Sequence, residues 1–170
     1  VVYLIHKTID MPFLNRHAPD EIRKNPGLRT RDFENTKTAA QKFTRYPTTA
    51  FSFAEGTRFT DAKRALQASP FEDLLKPKTG ALVTALSGMP MVDELIDFTI
   101  IYKTSKRSAW DFACGEMNEA KIIVKSYEIP ASIRGLDNNS AVFRNEFRIF
   151  IDSIWRKKQT LIEEKKYEIS

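Results

Sequence analysis

Residues 141–166 carry Phe143, Phe147, Phe150, Ile154 and Leu161 at helical spacing. That pattern predicts one long amphipathic helix whose apolar stripe faces a core. Its other face is basic at Arg156, Lys157 and Lys158, as expected of a solvated surface. A helix of this length needs a large apolar partner. With 42% hydrophobic residues and 12 Phe distributed along 170 positions, the chain has enough material for one compact domain, which at this size buries roughly 70% of its unfolded surface.

Several classes are excluded early. No apolar run approaches the ~18 residues of a membrane-crossing helix, and the longest, 1–5 and 98–102, are strand-sized. Cys114 is the single cysteine, so no intrachain disulfide framework exists. A reducing, cytoplasmic-side setting is the default expectation. His6 and His17 have no partner at a metal-ligand spacing; both, with Cys114, read as structural residues and no metal is expected. The net charge of +5 favours anionic partners: phosphate groups, acidic lipid surfaces or nucleic acid. The basic stretch Lys103, Lys106, Arg107 lacks interleaved aromatics, which argues against nucleic acid. The chain opens without Met on an apolar segment and lacks a signal peptide's basic region and cleavage site, so Val1 is read as an interior position of a longer protein.

Between these ends, residues 32–46 show helical spacing with a cap at Thr30 or Asp32 and a stop at Tyr46-Pro47. Residues 48–53 are rich in β-branched and aromatic side chains and predict a strand. Residues 61–69 read as loop, 78–86 as helix, and 97–103 and 121–128 as strands separated by a segment holding Trp110 and Gly115. Alternating helices and strands argue for an α/β fold.

The chemistry-bearing stretch is Phe53-Ala54-Glu55-Gly56-Thr57-Arg58. A strand ending in a glycine turn presents backbone N–H groups and an arginine fork to a phosphate, while a neighbouring carboxylate steadies the arginine. Alone, such a string is ordinarily a surface ion pair worth ~0–1 kcal/mol.

The flanks add to it. Residues 53–58 resemble the third motif of the lysophospholipid acyltransferase superfamily, Phe-Pro-Glu-Gly-Thr-Arg, with Ala54 for proline. Phe13-Leu14-Asn15-Arg16 resembles the second motif, with Asn15 in the acidic place. Leu74-Leu75-Lys76-Pro77-Lys78-Thr79-Gly80 is similar to the basic-glycine segment that follows the third motif in one branch. Met89-Pro90-Met91-Val92 stands where a fourth, proline-led motif is expected and fits it loosely. The first motif, His-x-x-x-x-Asp, is missing: His6 meets Met11 at that offset and His17 meets Ile22.

The resemblance implies a mixed, largely parallel sheet flanked by helices, of glycerolphosphate acyltransferase type. It makes 1–170 the C-terminal part of a single acyltransferase domain, with the catalytic histidine and aspartate expected upstream of Val1. It further implies acyl transfer from acyl-CoA or acyl carrier protein to a lysophospholipid such as 1-acyl-glycerol-3-phosphate, in phospholipid biosynthesis. No cofactor is expected beyond that co-substrate. Arg16, Glu55, Gly56, Thr57 and Arg58 would hold the acceptor phosphate, supported by Phe13, Phe53 and Lys78. The expected partners are the lysophospholipid, the acyl donor and an anionic membrane surface on the cytoplasmic face, with no nucleic acid and no metal. Two other classes stay open: a non-catalytic phosphate- or lipid-binding module, and a basic nucleic-acid-binding domain.

Overall fold

The computed structural model of the chain describes residues 19–25, 27–42, 49–104, 108–134, 140–166 and 168. In chain order these form α1 (Pro19–Lys24), α2 (Gly27–Lys42), α3 (Asp61–Leu66), α4 (Gly80–Gly88), β1 (Glu94–Tyr102), α5 (Ala109–Ala113), β2 (Ala120–Glu128), a 3₁₀ turn (Ala131–Ile133) and α6 (Ala141–Lys166). The protein mixes helices and strands, and its chain forms two compact units, 1–54 with 78–93 and 130–147, and 55–77 with 94–129 and 148–170.

In the first unit α2 and α4 pack against each other. The contact is close because Gly88 has no side chain: a Cβ there would lie 2.7 Å from the Ala40 Cβ and 2.9 Å from the Lys37 carbonyl oxygen. Val83, Thr84, Leu86 and Met89 are buried. The Thr84 hydroxyl, buried with them, donates to the Gly80 carbonyl at 2.9 Å, which satisfies it within the helix. The early part of α6 also belongs here, with Phe143 and Phe147 buried and their ring centroids 6.3 Å apart.

In the second unit β1 and β2 form an antiparallel pair, with Phe98 opposite Val124 and Ile100 opposite Ile122. The largely parallel sheet implied by the resemblance is not seen among the described residues. The connection from β1 to β2, residues 103–119, carries α5 and is long enough for a crossover, so its length does not set the direction; the ladder does, running antiparallel from Glu94 opposite Glu128 to Tyr102 opposite Ala120. The alternation runs against simple expectation: Asp97, Thr99 and Ile101 face inward while Ile96, Phe98 and Ile100 stand about half exposed. Asp97 is tolerated because Lys158 of α6 donates to it at 2.6 Å and the Thr99 hydroxyl at 3.1 Å.

The long helix spans the predicted residues, with its stripe rotated by about one position. Phe143, Phe147, Ile151, Ile154, Trp155 and Ile162 are buried, and the predicted Phe150 and Leu161 lie at the stripe's margins. Spacings of four and three residues repeated from Phe143 reach 151, 154 and 162, as a 3.6-residue period requires. Lys158 belongs to the packed side, since it reaches Asp97.

Two other readings are corrected. Residues 61–66, read as loop, are helical because the Thr60 hydroxyl accepts the Lys63 backbone N–H at 3.2 Å and Asp61 sits in the first turn. Residues 49–53, read as part of a strand, join no ladder, and Phe51 and Phe53 are exposed; β propensity yields a strand only where a neighbour pairs with it. Helix α2 starts earlier than the predicted cap, where the Asn25 carbonyl accepts the Leu28 N–H. The stop at Tyr46-Pro47, His6 and His17 lie outside the described residues.

Candidate functional site

Glu55, Gly56, Thr57 and Arg58 form a turn in the second unit, with Gly56 at φ +67°, a left-handed conformation that a side chain would disfavour. The turn is pinned from two directions. Glu55 is half-buried, and its carboxylate accepts the backbone N–H of Leu75 at 3.2 Å. The Leu75 carbonyl in turn accepts the indole N–H of Trp155 at 3.0 Å, so this fully buried residue is held on both sides of its backbone. The second restraint is Lys63, whose ammonium donates to Thr57 Oγ1 at 2.8 Å and to the Arg58 carbonyl at 3.1 Å.

The chain that supplies Leu75 is itself fixed to α6. Gln159 accepts the Asp73 backbone N–H at 3.1 Å and donates to the Asp73 carboxylate at 3.2 Å, while Lys166 pairs with the same carboxylate at 3.0 Å. The Ser69 hydroxyl closes the segment locally on the Leu74 carbonyl. A support of this kind holds the turn in one geometry.

Electrostatics separate the two charged residues of the motif. Burial pushes the Glu55 carboxyl above its ordinary range, against the opposing influence of the Leu75 N–H and the Lys158 charge. Arg58 is exposed, and among the described residues no carboxylate pairs with it. The expected pairing of Glu55 with Arg58 is therefore replaced: the carboxylate serves the Leu75 backbone and the guanidinium is left to solvent.

The remaining predicted residues fall elsewhere. Phe53 is exposed, and Lys78 belongs to the first unit, where its backbone N–H donates to the Ala54 carbonyl at 2.6 Å. Arg16 and Phe13 lie outside the described residues. Cys114 is free and exposed. Among the described residues no group of His, Cys, Asp or Glu is placed to hold a metal, and no helix is long and apolar enough to cross a membrane.

Lys63 and Trp155 are residues that sequence reasoning missed. The Thr60-Asp61 pair is a helix-start signal and, used as such, would have turned the polar segment after the motif into a helix carrying Lys63. No comparable local signal exists for Trp155. Beside the turn, Phe59, Asp61, Arg64, Glu72, Asp73 and Lys166 line an open cleft of about 510 Å³. Its acids offset its cations, so it offers an anion less than the Arg58 turn does.

The chain matches no known protein-family model, and no curated protein or solved structure is significantly similar to it.

Proposed function

We propose that this chain is the acceptor-binding part of an acyltransferase of the lysophospholipid type, and that the Glu55–Arg58 turn receives the acceptor's phosphate. The observation that carries this reading is the division of labour inside the turn. Glu55 is directed to the Leu75 backbone, and Arg58 is exposed without a carboxylate partner among the described residues. A guanidinium presented this way suits bidentate contact with a phosphate. The motif order around the turn supports the same reading.

In this proposal the β1–β2 pair belongs to a larger, largely parallel sheet completed by residues outside those described. The reaction is direct: a histidine removes the proton of a glycerol hydroxyl as that oxygen attacks the thioester carbon of acyl-CoA or acyl carrier protein, and the thiolate leaves. No residue described here fills the role of that base, which a His-x-x-x-x-Asp motif elsewhere in the protein would supply. Acceptor binding brings the protein to an anionic membrane surface. Held by Arg58, with Arg16 as a second candidate contact, the acceptor loses translational freedom, an effect worth up to ~7–11 kcal/mol of barrier in the most favourable cases.

The test is acyl transfer by the protein that contains this chain, with Arg58→Ala, on lysophosphatidic acid and on a monoacylglycerol. Losing a charge-assisted bidentate contact should lower kcat/KM for the phosphate-bearing acceptor by roughly 10- to 150-fold. The monoacylglycerol, poor already, should be affected much less, and Arg58→Lys should recover part of the loss. Equal losses on both acceptors, together with a lowered melting temperature, would make Arg58 a structural residue. Phosphate binding without acyl transfer would point to the non-catalytic module instead.

A further inference from the structure

Lys63 has no carboxylate partner among the described residues. Its ammonium is fixed by two neutral oxygens, Thr57 Oγ1 at 2.8 Å and the Arg58 carbonyl at 3.1 Å, and it is only partly exposed. An ammonium has three N–H donors. Two are committed here, and the third remains for a ligand. Neutral acceptors orient a cation without cancelling its charge, so the field of Lys63 stays available at the turn that carries Arg58.

Two cations therefore stand at one turn, Arg58 within it and Lys63 reaching it from α3, and neither is neutralised by a carboxylate among the described residues. Glu55, the acid inside the motif, is engaged by the Leu75 N–H. We infer that Lys63 is the second cation of this site, donating its remaining N–H to the ligand, and that the site takes a phosphomonoester dianion in preference to a phosphodiester. This rests on the reading of the Glu55–Arg58 turn as a phosphate site. It adds a selectivity that Arg58 alone does not provide: one guanidinium is matched by the single charge of a diester, whereas a monoester carries nearly two charges once its second proton, of pKa about 6, has left.

Lys63 also acts as a clasp on the turn, and the two roles predict different outcomes. A clasp removed loosens the turn and weakens every phosphate ligand alike. A second cation removed changes the ratio between ligands.

The experiment is calorimetric titration, at pH 8 and without acyl donor, of the protein that contains this chain with 1-hexanoyl-glycerol 3-phosphate and with its methyl phosphodiester. The wild type should prefer the monoester by about tenfold, the effect of one additional charge-assisted hydrogen bond. Lys63→Met should bring the ratio close to one, and Lys63→Arg should keep most of the preference. Thr57→Val, which removes an acceptor of the clasp and leaves the charge, should weaken both ligands and preserve the ratio. If Lys63→Met shows no thermal transition, Lys63→Gln carries the same comparison with a neutral side chain.

An unchanged ratio in the neutral variant, or no preference in the wild type, overturns the role of Lys63. If Arg58→Ala abolishes binding while the ratio survives loss of the Lys63 charge, the phosphate site stands and this inference alone falls. If Arg58→Ala binds the monoester as the wild type does, or the wild type binds neither ligand, the phosphate reading falls and this inference with it.

Discussion

The Glu55 carboxylate accepts the backbone N–H of Leu75, twenty positions along the chain, at 3.2 Å. This joins the turn that presents Arg58 to a buried segment. The bond comes with a desolvation cost, since burial raises the Glu55 pKa above its ordinary value of 4.5.

A raised pKa in the folded state means that the native protein holds a proton where the unfolded chain has released it. The resulting stability is fully present below pH 4.5 and is lost as pH rises through the folded-state value. Glu55→Gln keeps an oxygen for the Leu75 N–H and removes the titration. At pH 7 the variant should be at least as stable as the wild type, and between pH 4.5 and 7 its melting temperature should fall less steeply. Melting followed by circular dichroism across that range checks this; a marked loss at pH 7 would show that the turn needs the charge itself.

Lys158 and Asp97 form an ion pair at 2.6 Å with side chains only 12% and 10% exposed, and Lys158 also donates to the Phe98 carbonyl at 3.0 Å. Removing one partner leaves a buried charge uncompensated, so Lys158→Met should cost about 3–5 kcal/mol. Adding Asp97→Asn should return part of that, because the stranded charge is gone. Urea denaturation of the two single variants and the double gives the coupling directly.

Gly88→Ala introduces a Cβ that would sit 2.7 Å from the Ala40 side chain and 2.9 Å from the Lys37 backbone oxygen. The backbone atom cannot swing away, so the helices must separate. The expected loss is about 1–3 kcal/mol, the usual range for overpacking. Chemical denaturation measures it, and a neutral result would mean that α2 and α4 adjust without strain.

Ala68 lies just beyond α3 at φ +44°. Its N–H donates to the Ala65 carbonyl at 3.0 Å and that of Ser69 to the Arg64 carbonyl at 3.1 Å, a helix stop that ordinarily uses glycine. The left-handed backbone costs an L-residue roughly 1–2 kcal/mol, partly offset by the greater entropy that glycine loses on folding. Ala68→Gly should therefore stabilise by about 0.5–1 kcal/mol. Thermal and urea midpoints should both rise; a fall would indicate that the methyl group contributes packing.

Periodic elements were legible locally. The bounds of α6 could be read because the recurrence of Phe143, Phe147 and Ile154 repeats a local geometry that every turn of a helix imposes, and the segments of β1 and β2 were legible as strands while their antiparallel direction was not. The Glu55–Arg58 motif was visible as a string. The partners of its charged groups were not, because Glu55 meets Leu75 only after the intervening chain folds back, and Trp155 reaches that peptide from 80 positions away. The inward face of β1 was equally closed to sequence reading. Alternation says that two faces exist, but only Lys158, 61 positions distant, makes it tolerable to bury Asp97 while Ile96 and Phe98 stay half exposed. Local sequence determined α6, the two strand segments and where the turn falls, but not the helix at 61–66 or the unpaired state of 49–53. Tertiary structure decided which charges are neutralised and which have no opposite charge among the described residues, since burial and pairing depend on atoms far apart in the chain.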